Sequence, residues 1–299
     1  MIDKLIYYYS NFPTIRYSTV VLALVSLCAA LLGVTLVLKR FSMIGDGLSH
    51  VAFGATSIAT AASFTPMYIA LPLTTVAAVL LLRRRTGAKI QGDSAIAMIS
   101  AGSLAFGYIV LNVFPSSSAN VSGDACSSLF GSASILGIKK SDVLICAVLA
   151  AAVLAVFIFF YNKIFAVTFD ENFASATGTR VGAYNTLIAV ITGIVIVTAM
   201  NMVGALLISA LITFPALSAM RVFRTFKSVM ICSACISVVC SLLGTVVCLI
   251  ASTPVGPTIA IANIAAFGIF SLAGLILRKR TVQRTSPNTA LNKAINNKK

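Results

Sequence analysis

The chain has 299 residues, of which 59% are hydrophobic and 10% are charged, and its mean hydropathy is +1.02. These values exclude a water-soluble globular fold and predict an integral membrane protein. The 22 Lys and Arg residues outnumber the 7 Asp and Glu residues and give a net charge of +15. Because the cations gather at the ends of apolar stretches and form no single basic surface, they indicate membrane topology and argue against a nucleic-acid partner.

Apolar stretches recur at roughly 18–23 residues, the length that crosses about 30 Å of hydrocarbon as a helix. Helices satisfy their own backbone hydrogen bonds in lipid whereas open sheets do not, so we expect an all-α, polytopic transmembrane helical bundle of about 8–10 spans in one domain, 1–299. The spans are drawn at about 17–38, 44–64, 67–82, 94–113, 142–161, 184–202, 204–220, 229–251 and 258–277.

The segments outside these spans receive separate predictions. Residues 1–16 begin with Asp3, Lys4 and three tyrosines and are typical of an interfacial segment. Residues 114–141, rich in serine and glycine, are compatible with an external loop, a short helix or a re-entrant segment. The basic, Asn-rich residues 279–299 are expected to be a disordered cytoplasmic tail near anionic headgroups.

Lys and Arg clusters give the orientation. If nine spans alternate, the main clusters fall on one face, which is then cytoplasmic, and the amino terminus lies outside. The chain is therefore expected to cross the cell membrane many times. The clusters are Lys39–Arg40, Arg83–Lys89, Lys163 with Arg180, Arg221–Lys227 and Arg278–Arg280.

Asp46 and His50, the only histidine of the sequence, lie four residues apart at the start of the second predicted span. Positions i and i+4 stack on one helix face, so the carboxylate and the imidazole are able to reach one metal ion. An ionisable pair is costly in lipid and suggests a function. The alternatives are a helix-start role for Asp46 and a hydrogen-bonded packing role for His50. The span boundaries place the pair near the cytoplasmic end, which fits either an earlier helix start or an inner site.

Other polar features favour packing or solvation. Of the seven cysteines, six fall in apolar spans and Cys126 lies in the 114–141 segment, so no disulfide framework is predicted. Cys232 and Cys235 are interpreted as packing residues more readily than metal ligands. A small-residue stripe in the same span predicts close helix contact. It consists of Ser233, Ser237, Ser241 and Thr245.

The chain has few residues of the types that carry out catalysis. The sequence offers seven acidic residues, one histidine and no clear nucleophile–base arrangement, so we do not expect an enzyme. Asp170 and Glu171 are expected to be solvated in a polar cytoplasmic loop.

Four blocks, from about residue 15 to 278, carry a resemblance to one family. They are Met43–His50, Leu129–Gly131, Val203–Ala216 followed by Arg221–Thr225, and Thr253–Pro257. In this order the sequence resembles the membrane permease subunit of the zinc, manganese and iron type of ATP-binding-cassette (ABC) importers, with a type II importer fold. One departure is visible, because Val51–Gly54 keeps a glycine but lacks the proline that the family commonly shows after the histidine.

The resemblance implies a homodimer of permease chains, a separate cytoplasmic ABC ATPase that hydrolyses ATP, and an extracytoplasmic metal-binding protein that delivers the ion. Two copies of Asp46 and His50 would form a set of two nitrogens and two oxygens, which suits zinc and accepts manganese or iron. The divalent ion is transported cargo, so no permanently bound cofactor is expected.

The resemblance also implies an ATPase contact in a short cytoplasmic helix somewhere in Pro215–Lys227, with Pro215, Arg221, Arg224 and Lys227 as coupling residues. The alternative is that these cations are ordinary positive-inside anchors. Arg180, with the Asp170–Glu171 loop, is a lesser candidate for the contact. Asp93 and Asp124, each after a glycine, are candidate gate or delivery-protein contacts, with helix-start and turn roles as the alternative.

Three other functions remain open at this point. A proton-coupled secondary metal transporter would also use a buried Asp–His pair and would need no ATPase. A permease for metal chelates such as siderophores or cobalamin has related architecture, but a bulky organic ligand does not require such a pair. A purely structural membrane scaffold would leave the pair unexplained.

Overall fold

The computed structural model describes residues 12–83, 92–114 and 137–296, with side chains described as far as residue 276. Regular secondary structure in these ranges is entirely helical, as predicted. The eleven helices of the described residues are α1 (Pro13–Leu38), α2 (Ile44–Ala61), α3 (Pro66–Leu82), α4 (Gly92–Val113), α5 (Lys140–Phe159), α6 (Tyr161–Phe169), α7 (Glu171–Ala176), α8 (Val181–Val203), α9 (Ala205–Val222), α10 (Phe226–Ala251) and α11 (Val255–Asn296).

Nine of these helices coincide with the predicted spans, and their ends differ from the prediction by at most four residues except at the end of α11. Among the described residues, seven helices are long and apolar enough to cross a membrane, and α3, with 17 residues, is a shorter apolar helix. The helix α2 is not among the seven. Its glycines, hydroxyls, Asp46 and His50 make it less apolar, and most of it is buried between other helices.

The end of α11 differs from the sequence expectation. Its backbone is helical to Asn296, through most of the tail that composition predicts to be disordered. A helix that has already formed in the bilayer extends without a new nucleation step, which favours its continuation. Residues 297–299, the first eleven residues of the interfacial amino-terminal segment and residues 115–136 lie outside the described residues, so Cys126, Asp124 and the Leu129–Gly131 block do too.

The centre of the bundle is α1, which packs against α5, α9 and α10. Its closest approach is to α9 at Gly33, where a β-carbon would come within 2.0 Å of the Ile212 carbonyl oxygen. The two backbones therefore meet without a side chain between them, which is the way small residues bring membrane helices together.

Hydroxyl groups join α10 to α1 along a serine ladder. Ser237 Oγ donates to the Ser26 carbonyl at 3.0 Å, Ser241 Oγ lies 3.2 Å from Ser26 Oγ, and Ser233 Oγ lies 3.5 Å from the Ala30 carbonyl oxygen. The prediction of close helix contact along this stripe is thus confirmed. In the same helix Cys232 packs partly against the core, whereas Cys235 is exposed, so the packing interpretation holds only for Cys232.

Two connections near the carboxyl half shape the surface. Gly204 alone joins α8 to α9 with φ 90°, a left-handed value that glycine adopts without steric cost. Between α5 and α8, the short helices α6 and α7 replace the polar loop expected from the sequence. Asp170 is the cap of α7, since its Oδ1 accepts from the Phe173 amide at 2.9 Å.

Candidate metal site

The predicted pair is formed at the start of α2. His50 Nε2 lies 3.5 Å from Asp46 Oδ1, with the histidine side chain 15% and the aspartate side chain 44% exposed. Hydrogen bonds of this type are usually shorter, at about 2.7–3.2 Å. Two ligand atoms that each lie about 2.0–2.1 Å from one tetrahedral ion are separated by roughly 3.3–3.4 Å. The separation is longer than a usual direct hydrogen bond and is compatible with two ligands of one cation.

The contacts of two glycines on α2 show in which direction the Asp46 and His50 side chains point. A β-carbon at Gly45 would come within 3.3 Å of Ser209 Cα on α9, and one at Gly47 within 2.4 Å of the Ile96 side chain on α4. At 3.6 residues per turn these glycines lie about 100° to either side of Asp46. The carboxylate therefore faces the groove between α4 and α9, and His50, one turn on, lies on the α4 side of that face.

The far side of the imidazole is enclosed. His50 Nδ1 is buried and has no hydrogen-bond partner among the described residues. Metal-bound histidines usually donate their second nitrogen to a carbonyl, a carboxylate or water. Packing within the described part of the chain, and not a second hydrogen bond, therefore holds this ring, while Nε2 remains directed at Asp46.

The level of the pair follows from its neighbours on α9. Thr213 Oγ1 donates to the Ser42 carbonyl at 3.2 Å, so the turn between α1 and α2 is folded against the middle of α9. Ser209, beside Gly45, lies about 18 Å along α9 from Arg221 at 1.5 Å per residue. The helix starts at Ile44 as predicted, yet the pair is far from the Arg221 end of α9 because this turn is tucked inward.

The described residues supply only these two ligands to a site. No group of three or more His, Cys, Asp or Glu side chains able to hold a metal ion occurs among them. A stable tetrahedral site needs about four ligands, so the described residues of one copy offer half of one.

The candidate coupling residues named from sequence lie in the second half of α9, in the turn that follows it and in the first turn of α10. Pro215 is buried inside α9, which continues to Val222. Only three residues separate the end of α9 from the start of α10. The expected short helix in Pro215–Lys227 is therefore absent from this described segment, because neighbouring helices accommodate a proline within a membrane helix. Arg221 is exposed with its guanidinium carbon 5.6 Å from the centre of the Phe267 ring, and Arg224 and Lys227 are exposed.

Asp93 lies in the first turn of α4, where its carboxylate is favoured by the helix dipole. The neighbouring Gly92 packs on the ring of Phe41, in the turn between α1 and α2. Asp93 is therefore at the same end of the bundle as the α1–α2 turn, the expected cytoplasmic end. Both the gate role and the delivery-protein role of Asp93 stay predictions, and the second requires this end of the bundle to lie outside the cell.

Sequence reasoning missed one polar cluster. Lys39 at the end of α1 donates to Glu171 Oε1 at 2.9 Å and to Asn185 Oδ1, and Asn185 Nδ2 donates to the same Glu171 oxygen at 3.0 Å. Glu171 is thus paired and not merely solvated, which corrects the loop interpretation. The acidic pair before a short amphipathic stretch is a helix-start signal, but no sequence spacing links it to Lys39.

The fold is a bundle of apolar helices long enough to cross a membrane, with a carboxylate–imidazole pair in a groove between helices, and this combination is typical of membrane transport proteins. Residues 11–274 match the model of the ABC 3 transport family, and the chain belongs to this family.

Relatives support this assignment along the chain. The manganese import system permease protein ScaB of Streptococcus gordonii is 26% identical over 244 residues, covering 82% of this chain and 85% of the relative. The high-affinity zinc uptake system membrane protein ZnuB of Haemophilus influenzae is 25% identical over 238 residues, covering 80% and 89%. The structure of PsaBC from Streptococcus pneumoniae in complex with Fab superposes with a TM-score of 0.77 at 27% identity, covering 90% of this chain and 95% of that one.

Proposed function

We propose that this chain is the permease subunit of an ATP-driven importer of divalent transition-metal ions, with Asp46 and His50 as ion ligands in the translocation path. The observation that carries the proposal is the 3.5 Å separation of Asp46 Oδ1 and His50 Nε2 in a groove between two helices. Carboxylate and imidazole ligands suit zinc and also accept manganese or iron. Relatives named for zinc uptake and for manganese import support this range of ions.

A second copy of the chain completes the site. Two copies facing one another across the α4–α9 groove would supply two aspartates and two histidines. Because the two halves belong to different subunits, their separation lowers the number of ligands and lets the ion leave. A transport path requires such reversible binding, since an ion held by a permanent four-ligand cage would not be released.

The separate ATPase docks on a cytoplasmic surface built by α6, α7 and the α9–α10 turn. Phe165 and Phe169 of α6 pack on Phe226 at the start of α10, with ring centres 5.4 and 6.0 Å apart. Phe226 is buried, so it joins the short helices to the turn that carries Arg224. This cytoplasmic docking surface thus includes both regions that the sequence nominated for coupling.

The chemistry of the docking surface favours a protein partner. Phe169 is 57% and Phe173 63% exposed, and aromatic side chains are the commonest energetic anchors of protein interfaces. Arg224 and Lys227 add positive charge beside them, and Arg180 lies at the opposite end, before α8. Aromatic anchors with a basic rim complement an ATPase surface that is apolar at its centre and acidic at its edge.

A proton-coupled secondary metal transporter is the second candidate function, because an Asp–His pair also binds protons. It differs in one measurable respect, since its metal uptake continues without any ATPase. A chelate permease is less compatible with the site, because the two ligands of α2 are spaced for a bare cation.

The test compares His50→Ala and Asp46→Ala with Ser49→Ala in the purified permease–ATPase complex. Ser49 is the neighbour of His50, and its Oγ is already satisfied by the Gly45 carbonyl at 2.6 Å, so its loss removes no ligand. We expect bound zinc or manganese, counted by elemental analysis, and uptake by cells to fall to background in the first two variants and to persist in Ser49→Ala. Wild-type uptake in His50→Ala cells would reject the site, and uptake without the ATPase would favour the secondary transporter.

A further inference from the structure

A ring of hydrogen bonds joins three elements beneath the metal pair. Lys39 is the residue directly after α1, Glu171 is the first residue of α7, and Asn185 lies in the first turns of α8. Lys39 donates to both partners, and Asn185 donates in turn to Glu171. Each pair of the three is therefore in direct contact, and α7 is fastened to the end of α1.

The Lys39 ammonium lies in a buried position, where a charge loses most of its hydration. The Lys39 side chain is only 7% exposed, and burial lowers its pKa, although the hydrogen bond and charge of Glu171 act in the opposite sense. Burial alone would raise the pKa of Glu171, but hydrogen bonds from Lys39 and Asn185 and the charge of Lys39 outweigh it and leave that pKa lowered. An apolar residue at position 39 would avoid this desolvation, so the ammonium calls for a role beyond packing.

The turn from Lys39 to α2 is short and carries several backbone hydrogen bonds. The Arg40 amide donates to the Val37 carbonyl at 3.0 Å, and the Phe41 amide donates to the Leu36 carbonyl at 2.9 Å. On the other side, the Gly47 amide donates to the Met43 carbonyl at 3.0 Å. A displacement of Lys39 therefore passes to the first turn of α2, which carries Asp46, with few free torsions to absorb it.

We propose that Lys39, Glu171 and Asn185 form the mechanical linkage through which movement of α7 on the docked ATPase reaches Asp46. The inference rests on the proposed function, because α7 belongs to the cytoplasmic docking surface. When α7 shifts, Glu171 carries the Lys39 ammonium with it, and the α1–α2 turn moves Asp46 relative to the second copy. Lys39 and Glu171 are positioning residues, since neither reaches the ion.

A static anchor gives different results from a linkage. An anchor that only holds α7 in place would change the stability or assembly of the complex and leave the number of ions imported per ATP unchanged. A linkage changes that ratio, because ATP is still hydrolysed while the metal pair no longer follows. The ratio is thus the deciding quantity.

The experiment uses the complete permease–ATPase complex in proteoliposomes with zinc or manganese and the delivery protein, and measures ions imported per ATP hydrolysed. We expect Lys39→Met to lower the ratio by about fivefold or more while ATP hydrolysis continues and bound metal per complex is unchanged. Lys39→Arg, which keeps a cation able to reach Glu171, is expected to retain most of the ratio. Lys140→Met, an exposed lysine at the start of α5, is the matched control and keeps the wild-type ratio.

The outcomes separate the linkage from the proposed function. If the wild-type complex imports no metal, the proposed function fails and the linkage fails with it. If the wild type imports metal and Lys39→Met keeps the same ratio, the linkage alone is overturned. Should Lys39→Met fail to assemble, Glu171→Gln decides the matter at the more exposed partner, where a wild-type ratio overturns the linkage and a lowered ratio supports it.

Discussion

At the scale of single residues, the proximity of Asp46 and His50 was the feature most open to prediction. Asp46 and His50 lie on one α-helix at a fixed spacing, so helical periodicity brings them together whatever the rest of the fold does. Lys39 and Glu171 are far apart in the sequence, and only the tertiary fold brings their side chains together. Local periodicity carries no information on such a contact. Lys39 was therefore interpreted as a cation that sets the membrane topology, and Glu171 as a solvated loop residue.

Among the glycines of the described residues, Gly33 has the least space around it. Replacement by alanine would push a β-carbon to 2.0 Å from the Ile212 carbonyl oxygen, and backbone on both sides has to move. We expect Gly33→Ala to destabilise the protein by about 1–3 kcal/mol, the usual penalty for overpacking. Thermal unfolding in detergent measures the change.

The control for this prediction is Gly268→Ala in α11, because a β-carbon at Gly268 meets nothing within 4 Å. Alanine is the better helix former, so this variant should be equally stable or more stable by up to about 1 kcal/mol. Equal melting temperatures for the two variants would show that the α1–α9 contact is looser than described.

At the scale of secondary structure, hydropathy predicted the long helices well, since the bilayer sets their length and lipid requires them to be helical. It did not predict α6 and α7, which are short, amphipathic and framed by polar residues. The span drawn at 204–220 runs through Pro215, and α9 does continue past this proline, whereas the short helix that the resemblance implied in Pro215–Lys227 is not found, because the effect of a proline inside a helix depends on the neighbours that surround it.

The exposed aromatics of α6 and α7 give the prediction at this scale. Phe173→Ala removes a side chain that is 63% exposed, so the permease should fold normally but bind its ATPase about tenfold or more weakly, the usual effect of losing an interface anchor. Retention of the ATPase on immobilised permease measures this effect.

Phe64→Ala provides the comparison, since Phe64 is 65% exposed in the turn between α2 and α3, at the other end of α2 from the α1–α2 turn. It should retain the ATPase as the wild type does. Loss of binding in both variants would indicate a general defect, and loss in neither would place the docking surface elsewhere.

At the scale of the whole molecule, the described part of the chain leaves apolar helix surface and the Asp46–His50 groove uncovered. Two ligands face a groove that the described residues leave partly open, and α4, α5 and α11 are largely exposed on the outside of the bundle. Lipid covers some of this surface, and under the proposed function a second copy of the chain covers the groove and completes the site.

Mixed dimers test this conclusion directly. If each ion is shared between two copies, a dimer that combines one wild-type and one His50→Ala subunit, purified through two different affinity tags, should lose nearly all bound metal, because removal of one of about four ligands disrupts the shared set. Elemental analysis of metal per dimer gives the result. Retention of half of the wild-type metal would mean that each copy binds an ion independently.

The serine ladder between α1 and α10 restricts how such an assembly is able to flex. Hydroxyl groups bonded across a helix seam in lipid have no water to exchange with, so sliding of the two helices would break several bonds at once. The α1–α10 pair therefore behaves as a stiff frame within each subunit. In the proposed dimer, opening and closing of the conduit then falls to the boundary between the two copies and to movement of the tucked turn before α2 as one unit.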